Sequence, residues 1–159
     1  MEIGRAIRER AEMLENTSLS MDFSYEELVT LAGYMGTMTY RKGTTIFEEG
    51  DREIFMCVVV KGGVIILKRD ERMDPKRVTA IGVGKVIGEM SMIDGSPRSA
   101  TATAAADTIL VVLSKESMDR LFREKPYVGL KLLKKIAYSM SQRLRRTTGV
   151  LVDYLERNN

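Results

Sequence analysis

From Thr37 the chain reads "TMTYRKGTTIFEEGDREIFMCVVVKGGVIILKRDERMDPKRVTAIGVGKVIGE", a succession of short β-branched runs broken by "KG", "EEGD", "KGG", "RMDP" and "GVGK". Turn signals recurring roughly every ten residues predict a compact antiparallel β-structure: a sandwich, a jelly roll or a barrel. Two further strands follow in "SATATAAA" and "TILVVLS", and the intervening "ADT" predicts a hairpin turn between them. With 159 residues, 44% hydrophobic and 30% charged, the chain has material for one domain with one real core.

Helical periodicity brackets this β-region. At the start, Ile3, Ile7, Ala11 and Leu14 form one apolar stripe among arginines and glutamates. "SYEELVTLAGYM" predicts a second, short helix, with Ser24 as N-cap, Glu27 completing a capping box, and Gly33 or Gly36 as its stop. After the last strand, Ser114 caps "KESMDRLFREK", and Pro126 opens a helix that runs to the end of the chain. In that helix Leu130, Leu133, Ala137, Met140, Leu144, Thr147, Leu151 and Tyr154 alternate in steps of three and four, a heptad seam. Leu132 and Ile136 point elsewhere, so one stripe is expected to face the β-structure and the other a second copy of the helix. Gly149 interrupts this stretch at a cost of about 1 kcal/mol in helix propensity and marks a bend or a close contact. The division expected is residues 1–36 as N-terminal helices, 37–114 as the β-region, and 115–159 as C-terminal helices.

Several classes of function are excluded by what is scarce. Histidine is absent, which removes the commonest general base and metal ligand and leaves a metal-holding barrel enzyme without its usual donors. The single cysteine, Cys57 within "IFMCVVV", cannot form an internal disulfide and reads as a strand-core thiol, which suits a reducing compartment. No apolar run approaches the length of about 20 residues needed to cross a bilayer, and the N-terminus lacks a signal-peptide core. A cytoplasmic protein is expected. From Lys115 onward eleven Lys and Arg face five Asp and Glu, so the modest net charge of +3 hides a basic C-terminal end.

One stretch carries chemistry: "IGEMSMIDGSPRSA", residues 87–100. Gly88 can turn the chain out of a strand, "EMSMI" has the length of a short helix ended by "DG", and the N-terminus of such a helix offers backbone N–H groups to an anion. Arg98 returns after "GSP", and its planar fork can give two parallel hydrogen bonds to a phosphate while keeping its charge. Ser99 adds a hydroxyl, and Ala100 leaves room. Glu89 repels an anion but suits a sugar hydroxyl. An acid for ribose beside an arginine for phosphate indicates a nucleotide. A structural Glu89–Arg98 ion pair inside a turn accounts for the same spacing.

This stretch resembles the phosphate-binding cassette of cyclic nucleotide-binding domains: Gly-Glu, a short helix, then Arg followed by Ser, Thr or Ala and by Ala. The order of "KGTTIFEEGD", "VVVKGGVIIL" and "GKVIGEMSMIDGSPRSATATA" is similar to that family from roughly Thr37 to Ser114. The resemblance implies an α+β fold, an eight-stranded antiparallel jelly-roll barrel flanked by N-terminal helices and a long C-terminal helix. It implies cAMP, or cGMP, as ligand, and no metal. Glu89 would take the ribose 2′-hydroxyl, Arg98 and Ser99 the phosphate beside Ala100, and backbone amides from Gly88 to Met90 would assist. "QRLRRTTGVL" resembles the dimerisation helix of the catabolite activator-type members, in which a Thr-Ser pair contacts adenine from both subunits. Thr147 and Thr148 occupy those positions, which implies a parallel homodimer and favours cAMP. Two features depart from those members. No winged helix-turn-helix follows the long helix, so sequence-specific DNA binding is not expected, and Ser99 leaves the choice of cAMP, cGMP or a cyclic dinucleotide open. The expected function is a stand-alone sensor that signals to a protein effector. The competing expectation is a nucleotide-independent scaffold whose basic helix, through Arg143, Arg145 and Arg146, binds a partner or nucleic acid.

Overall fold

A computed structural model describes residues 2–159. The helices come first: α1 (Glu2–Glu15), a 3₁₀ turn (Ser18–Asp22) and α2 (Tyr25–Ala32). Ser24 and Glu27 make the reciprocal capping box, and Gly33 is the C-cap of α2. On the α1 stripe Ala11 and Leu14 are fully buried, while Ile3 at its outer end is exposed.

Eight strands follow: β1 (Gly36–Tyr40), β2 (Thr45–Phe47), β3 (Phe55–Lys61), β4 (Val64–Arg69), β5 (Pro75–Ile81), β6 (Val86–Ile87), β7 (Thr101–Ala104) and β8 (Thr108–Ser114). All pairings are antiparallel, in two four-stranded sheets of order β1-β8-β3-β6 and β2-β7-β4-β5. The eight expected strands are present, but the barrel is not closed, since no ladder joins one sheet to the other. The expected β7–β8 hairpin is also absent, because these strands belong to different sheets. The chain between them is a crossing. Ala105 N donates to Gly63 O, Gly63 N donates to the buried Thr108 hydroxyl oxygen, and the single proton of that hydroxyl has Ala106 O and Gly63 O as acceptors within reach, which seats the crossing on the β3–β4 turn.

The continuous apolar run of β3 follows from burial on both faces. Phe55, Cys57 and Val59 join the core between the sheets with Phe47, Val64, Ile87 and Leu110. Met56 and Val58 face the other way, into a larger core with Leu14, Leu31, Leu113, Leu121, Leu132 and Ile136. Helices thus cover the sheet containing β3, whereas β5 at the edge of the other sheet is exposed along most of its length.

Between β6 and β7 lies α3 (Glu89–Asp94), and after β8 come α4 (Lys115–Glu124), capped by Ser114, and α5 (Pro126–Arg157). Gly129 allows the α4–α5 elbow to close, since a Cβ there would stand 2.6 Å from the Phe122 ring. On α5, Val128, Gly129, Leu132 and Ile136 are buried. Lys131 Nζ donates to Glu27 Oε1 (2.9 Å) and Asp22 O (3.0 Å), tying the start of α5 to the N-terminal helices. The helix runs on through Gly149 without interruption.

Candidate functional site

The site is built where β6 ends. Gly88 adopts φ 80°, and a Cβ there would lie 2.6 Å from Arg98 Nη1 and 2.8 Å from Phe55 O. Only glycine fits that conformation and that proximity together. The turn starts α3 at once, Gly95 ends it in a left-handed conformation, and "SP" returns the chain to Arg98. Arg98 is tied down on its main chain, its N donating to Asp51 O (2.9 Å) and its O accepting from Gly50 N (2.8 Å).

The Arg98 side chain is buried. Nη1 donates to Gly88 O (3.0 Å) and Nη2 to Phe55 O (2.5 Å), while the guanidinium carbon stands 4.1 Å from the Phe47 ring centre and 4.6 Å from that of Phe55. Burial lowers the guanidinium pKa from its ordinary value, and the nearby Cys57, Asp51, Glu53 and Glu89 oppose that shift. Nε is buried without a hydrogen-bond partner. An orphaned buried donor costs about 1–3 kcal/mol, more when charged, so this arginine is held ready for an acceptor that the chain itself does not supply. Cys57 beneath it is fully buried, as expected of a core thiol, and burial pushes its pKa up to about 12.

Glu89 is 1% exposed. Its cation is Arg143, whose Nη2 reaches across from α5 to within 2.5 Å of Oε1. The pair joins a buried carboxylate to a half-exposed guanidinium. The alternative of a Glu89–Arg98 ion pair is therefore overturned. Arg98 spends its Nη groups on main-chain carbonyls, and Glu89 is matched from another element.

These groups wall a cleft of about 320 Å³ lined also by Phe47, Ile66, Lys68, Val78, Thr79 and Ile81. Gly88, Glu89, Met90, Arg98, Ser99 and Ala100 all line it; Thr147 and Thr148 do not, and both are exposed on α5 one turn beyond Arg143. Two lining cations escaped the sequence reading of the site. Lys68 Nζ donates to Ser99 O (2.6 Å) and to Glu49 Oε1 (3.3 Å), fixing the exit of the cassette to β4. Arg143 was readable as a basic residue, and a signal for its direction existed: it lies seven residues beyond Ile136 and fourteen beyond Gly129, on the stripe those buried residues define. With Arg98, Lys68 and Arg143 against the lone carboxylate of Glu89, the cleft suits an anion that also carries a hydroxyl group. Among the described residues no cluster of His, Cys, Asp and Glu could hold a metal ion, and no helix is long and apolar enough to cross a membrane.

Comparison with known proteins places the fold in a family. A cyclic AMP receptor protein of Thermus thermophilus is 32% identical over 120 residues, 76% of this chain and 54% of that protein. A CRP-like cAMP-activated global transcriptional regulator of Mycobacterium tuberculosis is 24% identical over 144 residues, 91% of this chain and 62% of that protein. The chain thus spans between half and two thirds of these relatives. The crystal structure of a cyclic nucleotide-binding domain from Methylobacillus flagellatus superposes with a TM-score of 0.82 at 29% identity, covering 95% of this chain and 85% of that one. The sequence profile of the cyclic nucleotide-binding domain matches residues 37–125, more than half of the chain, and the protein belongs to that family.

Proposed function

We propose that the protein is a cytoplasmic cyclic nucleotide sensor, a binding module and not an enzyme, with cAMP as its ligand and cGMP as the competitor to test against it. The observation that carries this reading is the pair of buried charged groups on one cleft: Arg98 with an unpartnered Nε, and Glu89, whose ion-pair partner Arg143 comes from α5. A cyclic monophosphate suits both. Its phosphate accepts from Arg98 and Ser99, with the amides of Gly88 to Met90 beside them, and its ribose 2′-hydroxyl donates to Glu89. Ala100 adds no bulk at the phosphate. The purine then extends toward α5, where Thr147 and Thr148 of a parallel homodimer complete the site.

The seam on α5 supports the dimer. Leu130, Leu133, Leu144, Leu151 and Tyr154 are exposed in the single chain, on a different face from the buried Leu132 and Ile136. Signalling to a protein effector then proceeds through α5, since Arg143 connects that helix to Glu89. Ligand shifts the helix only to the extent that it binds one arrangement better than the other, and exchange of Arg143 for a ribose hydroxyl at Glu89 is such a difference.

The test is calorimetric titration of cAMP, with cGMP in parallel, into protein freed of co-purified nucleotide by unfolding and refolding. Saturable heat at about one cAMP per chain is expected. Absence of heat with either nucleotide, from protein shown by circular dichroism to be refolded, would overturn the reading.

A further inference from the structure

From Pro126 to Val152 the long helix carries Lys131, Lys134, Lys135, Arg143, Arg145 and Arg146 and no acidic residue. On one face, Lys135, Ser139, Gln142 and Arg146 fall at steps of four, three and four, so they form one stripe of side chains that each carry a hydrogen-bond donor. That stripe is one wall of a second groove, of about 530 Å³, closed on the other side by the β5–β6 turn with Lys85 and at its end by the 3₁₀ turn. The groove adjoins the nucleotide cleft, and Thr79, Ile81, Glu89 and Arg143 line both.

The charges in this groove do not balance. Lys85, Lys135, Arg143 and Arg146 line it against the single carboxylate of Glu89. Lys135 has Asp22 at 3.5 Å and Arg143 has Glu89, while Lys85 and Arg146, on opposite walls, make no ion pair among the described residues. A concave surface with one sign of charge and low-dielectric walls focuses its field and draws counter-ions. None of the seam residues Leu133, Ala137, Met140, Leu144 and Thr147 lines the groove, so it stays open when two helices pair along that seam.

We propose that this groove is a second ligand site, for a small organic phosphate, beside the cleft and distinct from its phosphate-binding end at Arg98. Lys85 and Arg146 clamp the phosphate from the two walls, Ser139 and Gln142 donate to it, and the remaining volume receives the organic part of the molecule.

The test is calorimetric titration of pyrophosphate into the full, nucleotide-free chain in a phosphate-free buffer. Saturable binding near one per chain is expected, weakening as salt is raised. The double variant Lys85→Gln, Arg146→Gln should bind pyrophosphate at least tenfold more weakly while its melting temperature stays within a few degrees. Because the cleft is itself a phosphate site, the titration is repeated with Arg98→Ala, and pyrophosphate binding should persist there. Loss of binding in Arg98→Ala, or no effect of the double variant, would place pyrophosphate in the cleft and overturn the proposal. So would the absence of pyrophosphate heat from a chain that binds duplex DNA through Lys85 and Arg146, since the surface would then be a nucleic-acid face.

Discussion

The two halves of α5 share one apolar heptad stripe and have opposite surroundings. Up to Met140 the helix is a component of the domain, with Val128, Leu132 and Ile136 buried and Lys131 tied to Glu27. From Ser141 to the end every residue is exposed, Leu144 at 68% and Tyr154 at 63% among them. Past Arg143, which still reaches Glu89, and Arg146 on the groove wall, the residues from Thr147 to Arg157 extend about 16 Å, at about 1.5 Å per residue, with no surface of their own chain packed against them. Apolar content therefore does not decide burial here; the availability of a facing surface does. The inner half is stabilised by tertiary packing, and the outer half keeps a continuous apolar stripe that only another molecule can cover.

The comparison breaks most visibly at Leu144. If the outer stripe pairs with a second copy, Leu144→Asp puts two unpaired charges in one seam, and light scattering should give the monomer mass where the wild type gives the dimer mass. A wild type that is monomeric at tens of micromolar, or a variant with dimer mass, would detach the exposed stripe from dimerisation. Arg98→Ala probes the buried end of the same system. It removes the one guanidinium that faces the cleft from within the core, and cAMP affinity should fall by about 2–5 kcal/mol. Titration of the folded variant checks it, and undiminished binding would remove Arg98 from the site. Leu132→Ala, in the inner half, should lower the free energy of unfolding in urea by about 2–5 kcal/mol, whereas a truncation at exposed Leu151 of the isolated chain should leave it nearly unchanged.

The same contrast explains what was legible in the sequence. Local chemistry announced itself: the Ser24–Glu27 capping box, Ser114 before α4, Pro126 at the start of α5, and the glycines bounding α3 each act within a few residues. The two-faced burial of β3 was readable in part, because an unbroken apolar run excludes a solvent face. Contacts set by topology were not readable. "ADT" has hairpin composition, yet β7 and β8 pair in different sheets because the seating of the turn on Gly63 is a long-range matter. Glu89 and Arg98 were found as a motif, but their partners, Arg143 on α5 and the Phe47–Phe55 ring pair, come from segments tens of residues away. Spacing alone could not tell a Glu89–Arg98 pair from two separately matched charges.

A smaller effect is expected at Thr147 and Thr148, which lie in the outer half and outside the cleft of the single chain. If they reach the purine through the dimer, Thr147→Ala with Thr148→Ala should weaken cAMP binding by about 1 kcal/mol, the net worth of one or two hydrogen bonds. The same loss should appear in the monomeric Leu144→Asp protein and should not add to it. Additive losses would assign the threonines to their own subunit's site and rotate the outer half toward its own β5.

Gly149→Ala is the finest test, and it fixes the phase of the outer half. A Cβ at Gly149 meets nothing within 4 Å in the single chain, and its φ is not in the left-handed region. With Leu144 and Leu151 on the seam, Gly149 falls two residues before Leu151, on the outermost face of a helix pair. Alanine there should simply add helix propensity, about 1 kcal/mol for an exposed helical site. In a domain of this size that raises the melting temperature by about 2–4 °C, with the dimer mass unchanged. If alanine instead lowers the melting temperature or dissociates the dimer, the glycine is there because another backbone approaches it closely. The helix pair would then cross through Gly149, and the apolar stripe from Leu144 to Tyr154 would face something other than its own copy.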